Sequence, residues 1–494
     1  MNPFKQAVIG AAVLATAGSA YSQTTIRFSA SNGDRTATQT AIGKLLTNWT
    51  YRGFNGVNIT TTQTGGPSFT VPSSVTGSNF GIWRGTWNGQ TLIIKTNYAG
   101  ALAGIAAVAG NIDQRFILGD GVPGAPGSGD ADNNNVILSP IATSAQEGID
   151  YENGKVDFGF STNFQSTSPF NGFFAGNTYQ DIEEEIVGVS PLGFYASPGF
   201  PGDNITTQQA QLLYRNGALP VALFTGDWTA DKNRIAYAIG RNTDAGQRFG
   251  AYTEIGLGTT TAVRVWDPRT VTVNSVIVGG IQGDTVTNNI RSGGTVLTHK
   301  LWPSETVSGI FSQVGSGGFD GGATLAPVLT THLGAEAYKG AYFDEESNST
   351  QYAYPNATAG FYIGYLTPGD GNPRVLDLVK NPNFGQSGQP EYIDAGNIAP
   401  ENQGKALKYN GVENTSDNVR NGVYTAWLYN RFLYPSSWLS TSPATTQISF
   451  GYALRDRIRD FDAPAGGGLI HELNAVGATF KVQRSSDGGL VIPR

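Results

Sequence analysis

The stretch GRNTDAGQRF, residues 240–249, is the most informative part of this 494-residue chain. A run with strand character, residues 234–239, leads into it, and a helical pattern continues to residue 255. The polar turn between them contains glycines, and it directs backbone N–H groups and the positive end of a helix dipole at one point. Arg241 and Arg248 can add charge-assisted hydrogen bonds there. The stretch therefore predicts a site for an anion or a strongly polar ligand.

The same order of strand, polar turn and helix recurs along the chain. A strand at 25–28 precedes a loop and a helical stripe that runs from Ala41 to Trp49, and a strand at 91–95 precedes a second stripe. Further strands are predicted at 155–161, 185–195, 264–266, 271–278, 359–366 and 421–429, and further helices after 204–209, after the glycine-rich loop 315–322 and around 454–458. Thr206 and Gln209 have the spacing of a capping box. Alternating strands and helices indicate an α/β protein with a ligand cleft at the carboxyl ends of its strands.

The N-terminus has the three zones of a secretory signal. Lys5 precedes an apolar run at 7–17, and small residues follow, with 18–20 or 20–22 as the expected cleavage site. The alternative, an ordinary first helix, fits the three zones less well. The chain has no cysteine, and its net charge of −7 disfavours nucleic acid and anionic membranes as partners. No later segment is long and apolar enough for membrane insertion, so we expect a soluble periplasmic or extracellular protein.

The order of these segments resembles the periplasmic phosphate-binding protein family, within the type II periplasmic binding protein superfamily. The resemblance covers most of residues 25–435 and is weak beyond residue 440. It implies two lobes, each a mixed sheet flanked by helices, which are joined by two crossover strands and close on the ligand like a hinge. The matching segments are 28–35, 96–105, 156–163, 186–194, 204–224, 239–249, 315–322, 359–366, 407–412 and 422–429.

The resemblance also implies a division of the chain into domains. After the signal peptide already predicted at residues 1–22, residues 23–185 together with 421–494 form lobe 1, with a loop insertion at 111–153. Residues 186–420 form lobe 2. The crossovers then lie at 186–194 and 423–429. A protein of this kind captures a small ligand and delivers it to a membrane ABC importer.

Four loops supply the ligand contacts in the family. The corresponding candidates in this chain are Ser31, Asn32, Gly33, Asn97, Ala101, Ser161, Thr162, Arg241, Gly246 and Gln247. The family has serine where this chain has Ala101, aspartate where it has Thr162, and hydroxyl groups where it has Ala245 and Gln247. Each lost hydrogen bond to a desolvated anion costs roughly 1.5–3 kcal/mol. The departures therefore disfavour the usual mode of phosphate binding and leave open another oxyanion, a phosphorylated compound or a neutral polar ligand.

Several candidates have a structural interpretation as well. Arg241 is also placed to form a salt bridge with Asp244, and Ser31 and Asn32 are suited to capping the first helix. Arg35 and Arg248 are interpreted as solvated surface arginines, and Glu183 to Glu185 as a solvated charge run. For Trp83 and Trp87, packing is favoured over a sugar-binding face. For Asp130, Asp132 and Asn134, a solvated insertion is favoured over a calcium loop.

Catalytic motifs are absent from the sequence. The three histidines are scattered, there is no nucleophile elbow, and no metal or cofactor signature is present. We therefore expect an exported, non-enzymatic solute-binding protein without cofactor or metal. The alternative is a structural or cell-surface protein that keeps the two-lobed fold with a degenerate ligand site; hydrolytic activity is a third and weaker interpretation.

Overall fold

Two mixed β-sheets form the frame of the protein. The computed structural model describes residues 23–53, 58–60, 71–72, 75, 78–121, 151–269, 294–296, 298–302, 304, 315–344, 349–459 and 480–494. The predicted signal peptide, the strand at 271–278 and the candidate calcium residues Asp130, Asp132 and Asn134 lie outside these residues, as does most of the 111–153 insertion. We call the first sheet and its helices lobe 1, and the second sheet and its helices lobe 2.

The sheet of lobe 1 has eight strands. Its three central strands are parallel: Thr24–Ser29 pairs with Gln90–Asn97 on one side and Phe158–Ser161 on the other. Parallel strands end at the same edge, so the loops that follow these three strands lie side by side. In spatial order the strands are Ile182–Pro191, Trp427–Pro435, Phe158–Ser161, Thr24–Ser29, Gln90–Asn97, Phe80–Trp87, Thr47–Gly53 and Asn58–Thr60.

The sheet of lobe 2 has six strands. Arg234–Ala238 and Ala359–Leu366 run parallel in it, so their carboxyl ends also share an edge. In spatial order the strands are Asn204–Ile205, Lys405–Tyr409, Gly193–Ala196, Ala359–Leu366, Arg234–Ala238 and Ala218–Pro220.

The chain passes between the two sheets twice. Ile182–Pro191 belongs to lobe 1 and Gly193–Ala196 to lobe 2, with Leu192 between them. The return follows Lys405–Tyr409 and enters lobe 1 at Trp427. At the crossing the Leu192 N–H donates to the Ala426 carbonyl at 2.8 Å, and the Tyr424 hydroxyl donates to the Leu192 carbonyl. The two connections therefore hold each other in register.

Helices cover the two large sheets, and short two-strand ladders lie outside these sheets. The capping box at Thr206 and Gln209 is present, and it begins a helix that ends at the left-handed Gly217. The α-helices are Arg35–Leu45, Ala101–Ala109, Thr207–Asn216, Ala222–Thr225, Trp228–Asp231, Gly246–Glu254, Gly322–Leu325, Ala335–Tyr338, Pro368–Val375, Ser416–Arg420 and Thr446–Arg459; the 3₁₀ turns are Asn32–Asp34, Gln165–Thr167, Ala326–Thr330, Pro400–Asn402 and Ser436–Ser440. The two-strand ladders pair Gln114–Ile117 with Tyr151–Gly154, Gly172–Phe174 with Asn177–Tyr179, Trp266–Arg269 with Thr298–Leu301, Thr295–Val296 with His332–Leu333, Ala341–Asp344 with Ser349–Tyr352, Leu378–Lys380 with Tyr392–Asp394, and Val482–Gln483 with Ile492–Pro493.

Some element predictions were wrong in their bounds. The first helix ends at Leu45, and Trp49 lies in the next strand, where its ring packs on Trp83 with centroids 4.8 Å apart. The predicted strand at 185–195 is two strands, because the chain changes lobes at Leu192. The predicted strand at 421–429 begins only at Trp427.

The glutamates at 183–185 are not a solvated charge run. Their strand lies beside Trp427–Pro435, where Glu184 forms an ion pair with Arg431 at 2.9 Å. Glu185 forms ion pairs with Arg455 at 2.8 Å and Arg459 at 3.0 Å. The run therefore fastens the closing helix Thr446–Arg459 to the sheet of lobe 1.

Candidate ligand cleft

Five strand ends converge on one cleft between the lobes. Lobe 1 contributes the loops after its three parallel strands, and lobe 2 contributes the turns after Ala238 and Leu366. The walls of the cleft lie close together, and the space of about 400 Å³ between them includes open solvent. Its lining comprises Ser31, Asn32, Gly33, Ala99, Gly100, Ala101, Thr162, Ser190, Arg241, Asp244, Ala245, Gly246, Gln247, Thr367 and Leu428.

The two lobes are in close contact across this cleft. A Cβ atom on Gly246 of lobe 2 would overlap the Thr162 hydroxyl and lie 2.7 Å from Ala101 Cβ, both of lobe 1. The Leu102 N–H also reaches the Asp244 carbonyl at 3.5 Å. The lobes thus meet at this point, and glycine is the residue that fits at position 246.

Two helices begin at the cleft without a side-chain cap. Ala101–Ala109 of lobe 1 follows Gly100, and Gly246–Glu254 of lobe 2 follows Ala245. The first N–H groups of a helix have no acceptor within it. Their partial positive charge, added to the two helix dipoles, makes this gap favourable for negative charge.

Arg241 is buried at the wall of the cleft. Its Nε–H donates to the Phe319 carbonyl at 3.0 Å, and its terminal nitrogens donate to Gln247 Oε1 at 3.0 Å and the Asp320 carbonyl at 2.9 Å. An arginine carries five N–H groups, so one N–H on each terminal nitrogen remains. Among the described residues Arg241 forms no ion pair, and the salt bridge with Asp244 considered from the sequence is not made. Burial lowers the pKa of Arg241, and the negative charge of Asp370 opposes this shift.

The other two arginines are not solvated surface residues. Arg248 is 1% exposed; its Nη1 donates to the Arg241 carbonyl at 2.9 Å, and its guanidinium lies 5.1 Å from the Tyr252 ring. Arg35 is partly buried, and it donates to Asn79 Oδ1. Burial lowers the pKa of Arg35, and the positive charge of Arg241 adds to this shift. Local sequence did not indicate these positions, because both depend on how the helices pack.

Ser31 caps the first turn and also lines the cleft. Its Oγ accepts from the Asp34 N–H at 3.2 Å and donates to the Asp34 carboxylate at 2.5 Å. Asn430 donates to the other carboxylate oxygen and accepts from Ser190 Oγ at 2.8 Å. Burial raises the pKa of Asp34 to about 6, and the Ser31 and Asn430 hydrogen bonds oppose the shift. This network connects the first ligand loop with both strands that lead to the crossovers.

Asp34→Asn is expected to remove a pH-dependent cost of folding. The folded carboxyl keeps its proton up to about pH 6, whereas an unfolded aspartate loses it near 3.9, so stability falls as pH rises through this window. A shift of about two pKa units corresponds to roughly 3 kcal/mol. Urea unfolding at pH 4 and pH 8 should show the variant gaining up to that amount relative to the unmodified protein. If the difference in unfolding free energy between the variant and the unmodified protein is the same at both pH values, the burial effect is contradicted. The control is Asp113→Asn, because Asp113 is exposed.

Three buried polar atoms at or beside the cleft have no hydrogen-bond partner in the described part of the protein. They are Asn32 Oδ1, Thr162 Oγ1 and Asn163 Oδ1. An unpaired buried polar group is costly, on the order of 1–3 kcal/mol. Two of the three belong to residues that line the cleft, where a polar ligand or an ordered water can supply the missing bond.

Eight of the ten candidate residues line the cleft, and two do not. Asn97 Nδ2 donates to the Arg115 carbonyl at 3.0 Å, and its Oδ1 accepts from the Ala99 N–H at 2.8 Å. Ser161 Oγ donates to the Ala101 carbonyl at 3.0 Å and accepts from the Asn163 N–H. Both side chains hydrogen-bond within loops beside the cleft, and neither lines it.

Sequence reasoning missed several lining residues. Thr367 follows the strand Ala359–Leu366, so the rule that ligands bind at carboxyl ends of strands was a usable signal for it. Ser190 and Leu428 line the cleft from the two strands at the crossovers. No local pattern marks these two, because their position depends on the pairing of distant segments.

Among the described residues, no group of three or more His, Cys, Asp or Glu side chains could hold a metal ion. A separate search of that same part of the chain finds no helix with the length and apolar character needed to cross a bilayer. Trp83 is fully buried, with its indole N–H donating to Gln39 Oε1 at 2.6 Å, as the packing interpretation requires.

No family model and no curated protein matches this chain. It is similar to solved structures of phosphate-binding proteins. A Clostridium perfringens protein assigned to the phosphate ABC transporter substrate-binding proteins and solved with bound phosphate shows 10% identity and a TM-score of 0.36, over 90% of this chain and 98% of that one. An ABC-type phosphate transport receptor from Vibrio cholerae shows 9% identity and a TM-score of 0.36, and the match covers 87% of this chain and 93% of that one. A possible phosphate-binding protein from Planctomyces limnophilus shows 7% identity and a TM-score of 0.33, and the match covers 89% of this chain and 99% of that one.

Proposed function

We propose that this protein is an exported solute-binding protein that captures a small anionic or polar ligand between its two lobes. The ligand is a phosphate-like oxyanion or a phosphorylated compound, and a membrane ABC importer receives it. The observation that carries the proposal is Arg241, a buried cation without an ion pair in the described structure, which lines a cleft where two uncapped helices begin.

The electrostatics of the cleft support an anion. Removing a charge from water is costly unless a partner compensates it. The hydrogen-bond partners of the Arg241 guanidinium are neutral, namely two carbonyl groups and the Gln247 amide, and the carboxylates of Asp370, Asp244 and Asp320 act on it without forming an ion pair. A bound oxyanion would accept hydrogen bonds from the two remaining N–H groups of Arg241 and from N–H groups of the helix ends other than that of Leu102, which donates to the Asp244 carbonyl.

Arg241→Gln is expected to weaken oxyanion binding by about 10- to 150-fold for each lost charge-assisted hydrogen bond. The measurement is thermal melting with inorganic phosphate, sulfate and phosphorylated metabolites. A ligand present at 100 times its dissociation constant stabilises the folded protein by about 2.7 kcal/mol. Arg84→Gln is the matched control, because Arg84 is about a third exposed and pairs with Asp120 away from the cleft lining.

Full retention of the ligand response in Arg241→Gln would exclude Arg241 as a ligand contact. Arg241→Lys separates charge from geometry, since lysine keeps the charge without the planar fork. Export itself is tested by N-terminal sequencing of the secreted protein, which should begin near residue 23.

The second candidate is a structural or cell-surface protein with a degenerate site. The contact between the lobes at Gly246 favours it, because this contact leaves the gap narrow. The two functions make opposite predictions in the ligand panel. A melting temperature that none of the anions changes would support the structural role.

A further inference from the structure

The last segment of the chain, residues 480–494, lies across both lobes. We call it the C-terminal strap. Its ends pair as Val482–Gln483 with Ile492–Pro493, and Phe480 packs on Trp427 with ring centroids 5.4 Å apart. Trp427 is the first residue of the strand that returns to lobe 1. The strap is therefore anchored beside the second crossover, which is the position of a hinge.

The strap is bound to lobe 1 through hydrogen bonds to Asp487. This side chain is 8% exposed, and its Oδ2 accepts from the Phe164 N–H at 2.9 Å, Thr167 Oγ1 at 2.5 Å and Asn163 Nδ2 at 3.4 Å. Phe164 and Asn163 directly follow Thr162, which lines the cleft. The bond to Asp487 thus holds the third ligand loop.

The strap also contacts the helix Gly246–Glu254 of lobe 2. Arg484 Nη1 donates to Glu254 Oε2 at 2.9 Å, and both side chains are nearly buried, with 2% and 9% exposed. Gly488 has φ +64°, and a Cβ atom there would overlap the Thr253 carbonyl. This helix begins with Gly246 and Gln247 in the cleft. The strap therefore holds the C-terminal end of the helix whose N-terminal end forms the ligand site.

We propose that the C-terminal strap is an interlobe latch that holds the cleft closed. Asp487 and Gly488 are adjacent, so one short turn connects the third ligand loop of lobe 1 to the ligand helix of lobe 2. Opening of the lobes separates these two elements and must break one of the two attachments. The latch raises the population of the closed form before ligand binds, and this lowers the apparent dissociation constant of any ligand that needs closure. The second effect rests on the proposed function, and the first does not.

The test is the interlobe distance in ligand-free protein. The chain has no cysteine, so Gln90→Cys in lobe 1 and Thr229→Cys in lobe 2, both exposed, accept spin labels without background. Asp487→Ala and Gly488→Ala should each broaden the distance distribution toward longer values. Asp203→Ala breaks a surface ion pair with Lys405, and Gly411→Ala strains an open left-handed position, so these are the matched controls and should leave the distribution unchanged.

An unchanged distribution in both folded latch variants would overturn the proposal. Inorganic phosphate is then titrated into the same labelled proteins. If phosphate binds the unmodified protein, its apparent dissociation constant should be higher for the latch variants. The increase should equal the factor by which the population of the closed form decreases. If phosphate has no effect on the unmodified protein, the phosphate form of the proposed function fails, while the ligand-free distances still decide the latch.

Discussion

Gly246→Ala is expected to keep the cleft from closing and to reduce oxyanion affinity more than 100-fold. The added Cβ would overlap the Thr162 hydroxyl, which can rotate, but it would also lie 2.7 Å from the Cβ of Ala101, which cannot. Real Cβ contacts are essentially never so short, so the helix Gly246–Glu254 must move away from lobe 1. Moving it separates the N–H groups of Gly246 and Gln247 from those of the opposite helix, and two lost charge-assisted bonds cost about 3–6 kcal/mol.

The readout for Gly246→Ala is the same pair of spin labels, together with melting in the anion panel. The labelled variant should show a longer interlobe distance, while its far-UV circular dichroism stays that of the unmodified protein. Gly321→Ala is the matched control, since Gly321 also lies at the N-terminus of a helix and a Cβ there meets only ordinary contacts from 3.5 Å outward. A variant at position 246 with an unchanged distance would show that the lobes tolerate the added methyl group.

Acid is expected to destabilise the protein strongly through His299. This side chain is fully buried, stacked on Trp266 with ring centroids 4.3 Å apart, and its Nδ1 lies 3.1 Å from the Tyr362 hydroxyl. Burial lowers the pKa of His299 to about 3. The unfolded chain binds a proton near pH 6.5 and the folded protein does so only near pH 3, so stability falls as pH decreases between these values. The difference corresponds to on the order of 4–5 kcal/mol.

The variant His299→Phe keeps the ring stack and cannot be protonated. Denaturant unfolding between pH 7 and pH 3 should show a shallower loss of stability than in the unmodified protein. The variant also leaves the Tyr362 hydroxyl without this partner, which is a pH-independent offset of about 1–3 kcal/mol; the slope is therefore the decisive quantity. His332→Phe is the control, because His332 is exposed and bonds Asn402 at 3.1 Å. Equal slopes for His299→Phe and the unmodified protein would disprove the assignment.

Local patterns were sufficient wherever neighbours in sequence supply the forces. The capping box at Thr206, the helix after Ala245 and the strand Ala359–Leu366 each follow from residues within a few positions. The resemblance to the phosphate-binding family named ten candidate residues, and eight of them line the cleft. Parallel strands bring their carboxyl ends to one edge, so the approximate position of the cleft was predictable from order alone.

Long-range packing decided the remaining features. Ser190 and Leu428 reach the cleft because segments more than 200 residues apart pair at the crossing, and Arg248 is buried because its helix packs between the lobes. The pKa values of Asp34 and His299 depend on desolvation, which is a property of the surrounding volume rather than of neighbouring residues.

The sequence by itself therefore determined the α/β elements, the glycine-containing turn at 240–249 and the presence of a polar site at strand ends, since each depends on local propensity and chain order. The tertiary structure alone decided how closely the lobes meet at Gly246, that Asn97 and Ser161 do not line the cleft, and that residues 480–494 connect both lobes. The physical reason is that burial and interlobe contact arise from residues distant in sequence, and no local pattern encodes which of them meet.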